Sequence, residues 1–163
     1  AAFAHLGRES LPVLQGEGKE VRLILGHAWG EKVGFEMPSE VFYADARLAP
    51  GAAIPLPDDH EDRGVHVLEG SVTCAGQVFE AGRMLVFRPG DRISVRAGDQ
   101  GARIMALGGA TMGGPRFIWW NFVASSRERI DAAREAWRAG DWTHGRFRLP
   151  PGDDGEFIPA PDR

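Results

Sequence analysis

The sequence predicts a mainly β protein, a double-stranded jelly-roll barrel followed by one C-terminal α-helix. Three observations predict it. Glycine and proline punctuate most of the chain every eight to twelve residues, the spacing of short antiparallel strands in a sandwich or barrel. The runs between them are apolar and partly alternating, as a strand buried on one face requires. Near the C-terminus the period changes once, to that of a helix.

Residues 1–20 read as a lead-in. Val21-Arg22-Leu23-Ile24-Leu25 then alternates and stops at Gly26, and Val41 to Leu48 is the next extended run, ended by Pro50-Gly51. Val65-His66-Val67-Leu68 follows. Ser71 to Cys74 and Gln77 to Glu80 flank Ala75-Gly76, a hairpin whose glycine supplies a positive backbone angle. Met84 to Phe87 runs into Pro89-Gly90, Arg92 to Arg96 into Gly98, and Ala102 to Leu107 into Gly108-Gly109, which makes at least eight strands. The expected barrel spans residues 21–124. Ser125-Ser126-Arg127-Glu128 fits a capping box, Ile130, Ala133 and Trp137 recur at helical spacing, and Gly140 is placed to end the helix, predicted over 125–140. Residues 141–163, with Leu149-Pro150-Pro151-Gly152-Asp153-Asp154 and the final Pro159, Pro161 and Asp162, read as a proline-rich tail without a core.

A chain of 163 residues, 43% hydrophobic and 26% charged, can bury the core of one domain without staples. A net charge of -4 with a pI near 5.7 gives no electrostatic reason to expect direct contact with nucleic acid. No apolar run approaches the ~20 residues of a membrane span, so no membrane partner is expected. Cys74 is the only cysteine and nothing resembles a secretion signal, which makes the cytoplasm the expected compartment. Arginine outnumbers lysine seventeen to two, the coding bias of a GC-rich bacterial genome.

Pro55 to Gly70 holds two histidines, His60 and His66, and five carboxylates, Asp58, Asp59, Glu61, Asp62 and Glu69, a donor set that transition metals accept. The surrounding frame of Gly51, Gly70, Gly82 and Pro89-Gly90, its proline one place late, resembles that of the cupins, whose first motif places a His-x-His pair and a glutamate between two glycines. Here the two histidine positions fall on Pro57 and Asp59 and the glutamate position on Arg63. The histidine position of the second motif falls on Ile93. The frame is kept and its ligands are not, so neither metal-ligating nor catalytic residues are expected in this chain.

Alternation gives the same answer. If residue 63 points inward, Val65 and Val67 point in with it, and His66 and Leu68 point out. At the second motif Ile93 and Val95 face in and Arg92, Ser94 and Arg96 face out. His60 is expected in a solvated acidic loop, and Asp59 and Arg63 are expected to pair where an ion once sat. Cys74 reads as a small packed thiol. Trp119, Trp120 and Phe122 could stack a planar ligand, but packing against the helix is the plainer role, with Trp29 and Trp137 joining them. Arg127, Arg129, Arg134, Glu135 and Arg138 are expected on the wet face of the helix. The glycine pairs 108–109 and 113–114 lack the strand-to-helix setting of a phosphate loop.

The chain resembles the C-terminal half of the pirins, a family of two-cupin proteins. The resemblance rests on Phe42-Tyr43-Ala44-Asp45-Ala46-Arg47-Leu48-Ala49-Pro50-Gly51, on Val67-Leu68-Glu69-Gly70, on Gly108-Gly109-Ala110, on Ile118-Trp119-Trp120-Asn121-Phe122-Val123-Ala124-Ser125-Ser126, and on the close from Leu149 to Pro159. It implies a cupin-type jelly roll without a cofactor of its own. Iron or another divalent metal is then expected in an N-terminal cupin, held there by three histidines and a glutamate. Two functions follow from the resemblance. In the first, the chain is the non-catalytic half of a metal-dependent quercetin 2,3-dioxygenase. In the second, it is a binding or regulatory module for a transcription factor or a metabolic enzyme. The partner implied is the N-terminal cupin or a second copy of the chain, with Leu68, Trp119 and Trp120 as the interface candidates.

Overall fold

The structure, a computed structural model, describes residues 4–153 and 156–161. Residues 1–3 of the lead-in, and Asp154 and Asp162 of the tail, lie outside the described residues. The chain divides into two compact units, Ala1–Thr111 and Met112–Arg163.

Alternation of apolar and polar residues builds the first unit. Strand β4 (Val41–Leu48) buries Phe42, Ala44, Ala46 and Leu48 and exposes Tyr43 and Arg47. It lies between β2 (Lys19–Ala28) and β9 (Ser94–Gly109) in one antiparallel sheet of nine strands. The order runs from β1 (Val13–Gly16) through β2, β4, β9 and β6 (Asp62–Cys74) to β7 (Gln77–Glu80). The short strands β3 (Glu31–Lys32), β5 (Ala53–Pro55) and β8 (Met84–Phe87) pair with β2, β9 and β6. Leu23, Phe42, Val65, Val67, Val95 and Ile104 are wholly buried in its core, each stabilising the fold by about 1.5–3 kcal/mol at most.

Three differences from the sequence expectation concern where strands begin and end. The lead-in contributes β1, an edge strand, and a short 3-10 turn at Arg8–Ser10. The expected stops at Gly26 and Gly70 lie inside β2 and β6, and the runs on either side of Gly98 are one sixteen-residue strand, β9. A side chain at Gly70 would collide with the carbonyl oxygen of Gly101, and one at Gly26 with that of Val41. Both glycines have positive φ and sit beside register shifts, so they mark bulges where neighbouring backbones approach closely rather than strand ends. The hairpin at Ala75-Gly76 forms where expected, but both residues have positive φ.

The second unit begins with a separate hairpin, β10 (Phe117–Trp119) and β11 (Phe122–Ala124), so the segment expected to belong to the barrel up to residue 124 leaves the large sheet at Gly109. Helix α1 (Arg127–Ala139) is the one α-helix among the described residues, and Gly140 ends it in the left-handed conformation. Its cap is Ser126, whose hydroxyl accepts from the Arg129 amide at 3.4 Å. Glu128 therefore stands one place earlier in the helix than a capping box on Ser125 requires.

The aromatic residues form a small core around Trp137, whose ring meets Trp120, Phe122, Trp142 and Phe147. The tail is part of that core: Trp137 Nε1 donates to the carbonyl of Ile158 at 2.9 Å, and Phe157 packs on Trp142. Trp29 belongs instead to the first unit, edge-on to Phe42. Arg127 and Arg134 are not simply solvated, since their guanidinium groups cover the rings of Phe117 and Trp119 at 4.8 and 4.4 Å. No helix among the described residues is long and apolar enough to cross a membrane.

Candidate functional site

The site is built where the loop after β5 meets the start of β6. Leu56, Pro57 and His60 turn inward, while Asp58, Asp59 and Glu61 take the solvent. Arg63 opens β6 on the same face as Val65 and Val67 and is only 3% exposed.

A buried guanidinium must place its protons; Arg63 places those of its two Nη atoms on backbone oxygens, while Nε has no partner. Nη1 donates to Pro57 at 3.2 Å, and Nη2 donates to Asp91 at 2.7 Å and to Arg88 at 3.4 Å. One side chain thus joins the loop that carries the first cupin motif to the turn that carries the second. The expected Asp59–Arg63 ion pair does not form. Asp59 is 58% exposed and faces two imidazoles instead. The physical reason lies in the inward turn at Pro57, which brings main-chain carbonyls to the guanidinium and leaves the flanking carboxylates outside.

The other positions are equally clear. Pro57 is buried, and Ile93 is partly buried against the core just before β9, where its carbonyl accepts from Leu56 at 2.9 Å. Proline, exposed aspartate, arginine and isoleucine do not make a donor set for a metal in the core, and Arg63 would place a positive charge beside it. His66 is half-buried on the opposite face of β6, level with Met84 of β8. Leu68 is also half-buried. Trp119 and Trp120 are part of the aromatic core of the second unit, with Trp120 the more exposed. Cys74 is buried, and that burial pushes its thiol above the ordinary value, which suits packing and not nucleophilic attack.

His60 corrects the sequence reading. It is 2% exposed rather than solvated, with Nε2 at 2.9 Å from the carbonyl of His27 and its ring against those of His27 and Phe42. Because a carbonyl can only accept, Nε2 donates. His27 carries no signal in the sequence, because the expected strand stops one residue earlier, at Gly26, whereas β2 runs on to Ala28. The turn that follows it contains Trp29, which has positive φ and donates from Nε1 to the carbonyl of Pro55 at 2.8 Å. An L-residue in that conformation costs about 1–2 kcal/mol, and the bond across to Pro55 helps hold it. Beside Trp29 lies a mainly apolar groove of about 390 Å³, lined by Leu14, Val21 and Ile54 and edged by Lys19 and Glu17.

Residues 43–143 match the family described as the Pirin C-terminal cupin domain. A "Pirin-like protein" of Caulobacter vibrioides is 39% identical over 97% of this chain and 52% of its own length. A Pseudomonas aeruginosa protein described as a "Putative quercetin 2,3-dioxygenase" is 33% identical over 90% of this chain and 46% of its own length. Among solved structures, a quercetin 2,3-dioxygenase from Acinetobacter baumannii is similar at a TM-score of 0.78 and 25% identity, over 93% of this chain and 50% of that one. The chain spans about half the length of the curated relatives it matches.

Proposed function

The chain belongs to the pirin family, with the family's C-terminal cupin domain as its matching part, and we propose that it serves as the non-catalytic half of a two-cupin protein, with no metal at the core position that Arg63 fills. The observation that carries this reading is Arg63, whose guanidinium spans from the first cupin motif to the second through main-chain oxygens. A cation fixed there does by hydrogen bonding what a metal does elsewhere by coordination, and it repels a metal from the same place. The activity named for the similar Pseudomonas and Acinetobacter proteins supports a quercetin 2,3-dioxygenase as the parent. Its iron, or another divalent metal, would be held by the N-terminal cupin. The present chain would shape and close the cleft against that half.

Oxygen uptake with quercetin and added Fe2+ tests the assignment, with the Acinetobacter dioxygenase as positive control. The chain alone is expected to consume no oxygen above the buffer. Flavonol-dependent uptake by the chain alone would overturn the reading.

A protein-docking role is favoured by one further observation. Met84 and Val86 stand 49% and 78% exposed on β8, beside half-buried His66, and Ile118 faces Val123 across the β10–β11 hairpin with both exposed. Apolar side chains placed this way suit contact with an N-terminal cupin, a second copy, or a regulatory partner. Light scattering at rising concentration is expected to show self-association of the isolated chain. A strict monomer would remove the second-copy reading.

A further inference from the structure

We propose that His27, Asp59 and His60 form a binding site for one divalent transition-metal cation, distinct from the core position that Arg63 fills. One donor atom from each of the three residues lies within 4.8 Å of the other two. Asp59 stands 3.9 Å from Nε2 of His27 through one oxygen and 3.9 Å from Nε2 of His60 through the other. Two imidazoles and one carboxylate with open positions left over are a set that iron, cobalt, nickel and zinc accept.

A second observation concerns the His60 ring. The His60 side chain is fully buried, and its Nδ1 has no hydrogen-bond partner, although buried polar atoms are nearly always satisfied. The nitrogen 3.9 Å from Asp59 is Nε2, which already meets the carbonyl of His27 at 2.9 Å. Capture through the free Nδ1 keeps that bond, the usual arrangement of a metal-bound histidine, and requires the more exposed Asp59 and His27 side chains to move toward Nδ1.

The arrangement is open rather than closed. Donors around an ion at about 2.1 Å lie about 3.0–3.4 Å from one another, so capture must draw the three groups together. The side chains of His27 and Asp59 are 40% and 58% exposed and can move, whereas His60 is fixed by its packing against His27 and Phe42. The exposed side leaves coordination positions to water or to a small anionic or hydroxyl ligand. The site lies off the cupin ligand positions: only Asp59 occupies one of them.

Titration of the untagged chain with Co2+, followed by visible absorption and by Zn2+ competition, tests the site. The expected result is one Co2+ per chain, held at least tenfold more weakly by His27→Ala and by Asp59→Asn and equally well by His66→Ala. Both variants alter exposed side chains, so circular dichroism is expected to show an unchanged fold. Absence of stoichiometric binding by the unaltered chain would overturn the proposal and leave the metal-free core untouched. Binding that both variants retain would overturn it too, and would further place a ligand set elsewhere in the chain.

Discussion

Nη2 of Arg63 donates to the backbone carbonyl of Asp91 at 2.7 Å, so a side chain of strand β6 holds the turn that leads into β9. The same guanidinium reaches Pro57 and Arg88, and no carboxylate among the described residues shares it. The interaction is therefore that of a buried cation with main-chain dipoles, not that of an ion pair. Replacing it with an apolar side chain strands the carbonyl oxygens of Pro57 and Asp91, while that of Arg88 keeps the Asp91 amide at 3.5 Å. Arg63→Met is expected to cost about 1–3 kcal/mol, read as a lower urea midpoint with an unchanged slope. Arg63→Lys should fall between the two, because an ammonium cannot span the same acceptors. Asp59→Asn should change stability by less than about 0.5 kcal/mol, since its carboxylate is exposed and does not meet Arg63.

Asp45 and Arg103 form the opposite case, a two-pronged ion pair between β4 and β9. Nε and Nη2 donate to the two carboxylate oxygens at 3.0 and 2.8 Å, and Glu69 stands at 3.5 Å. The Arg103 guanidinium holds the Asp45 carboxyl below the usual carboxylate range. The folded value being lower than the unfolded one, the pair's contribution is full above about pH 4 and fades as the pH falls through the folded value. Because Arg103 is partly exposed, Asp45→Asn is expected to cost only about 1–2 kcal/mol at neutral pH. The difference in melting temperature between the two proteins should shrink at pH 3; an undiminished gap would show that the charge is not its source.

The turn between β6 and β7 carries strain that can be removed. Ala75 has φ of 47° and is exposed, and Gly76 follows at 79°. Asparagine tolerates this conformation far better than alanine, and Asn-Gly is the favoured pair for two-residue hairpins. Ala75→Asn is expected to stabilise the protein by about 0.5–1 kcal/mol, seen as a raised melting temperature. Ala75→Val should do the reverse.

In the second unit the tail depends on Trp137, through the Ile158 carbonyl and the rings of Trp142 and Phe147. Trp137→Ala is expected to cost about 3–5 kcal/mol of local stability. The change should be visible as faster hydrogen exchange across residues 117–149 with little change in the strands of the first unit. Equal acceleration in both units would mean that they unfold together.

The pattern of strands was legible because alternation is a property of side chains. β4, β7 and β8 begin and end where their apolar runs do. The glycines were misleading because the same residue ends a strand or lets two backbones approach, and only the neighbouring strand decides which. At Gly26 and Gly70 the neighbour is a carbonyl oxygen, invisible in the sequence. The site was legible to the same degree. Parity puts Arg63 on the face of Val65 and Val67, where it is found buried, but its partners are main-chain atoms that no residue type announces. The acidic neighbours of His60 predict a solvated ring, whereas Leu56 and Pro57 draw the loop inward. His27 meets it from a strand that shifts register between Leu23 and Leu25, beyond the reach of simple alternation.

The most direct measurement of whether Arg63 has taken the place of a core metal is anomalous diffraction at the cobalt edge from crystals soaked in Co2+. The expected result is no anomalous peak beside Arg63, with its guanidinium still on the carbonyls of Pro57 and Asp91; any peak should lie among His27, Asp59 and His60. An ion at the Arg63 position, with the guanidinium displaced from those carbonyls, would contradict it.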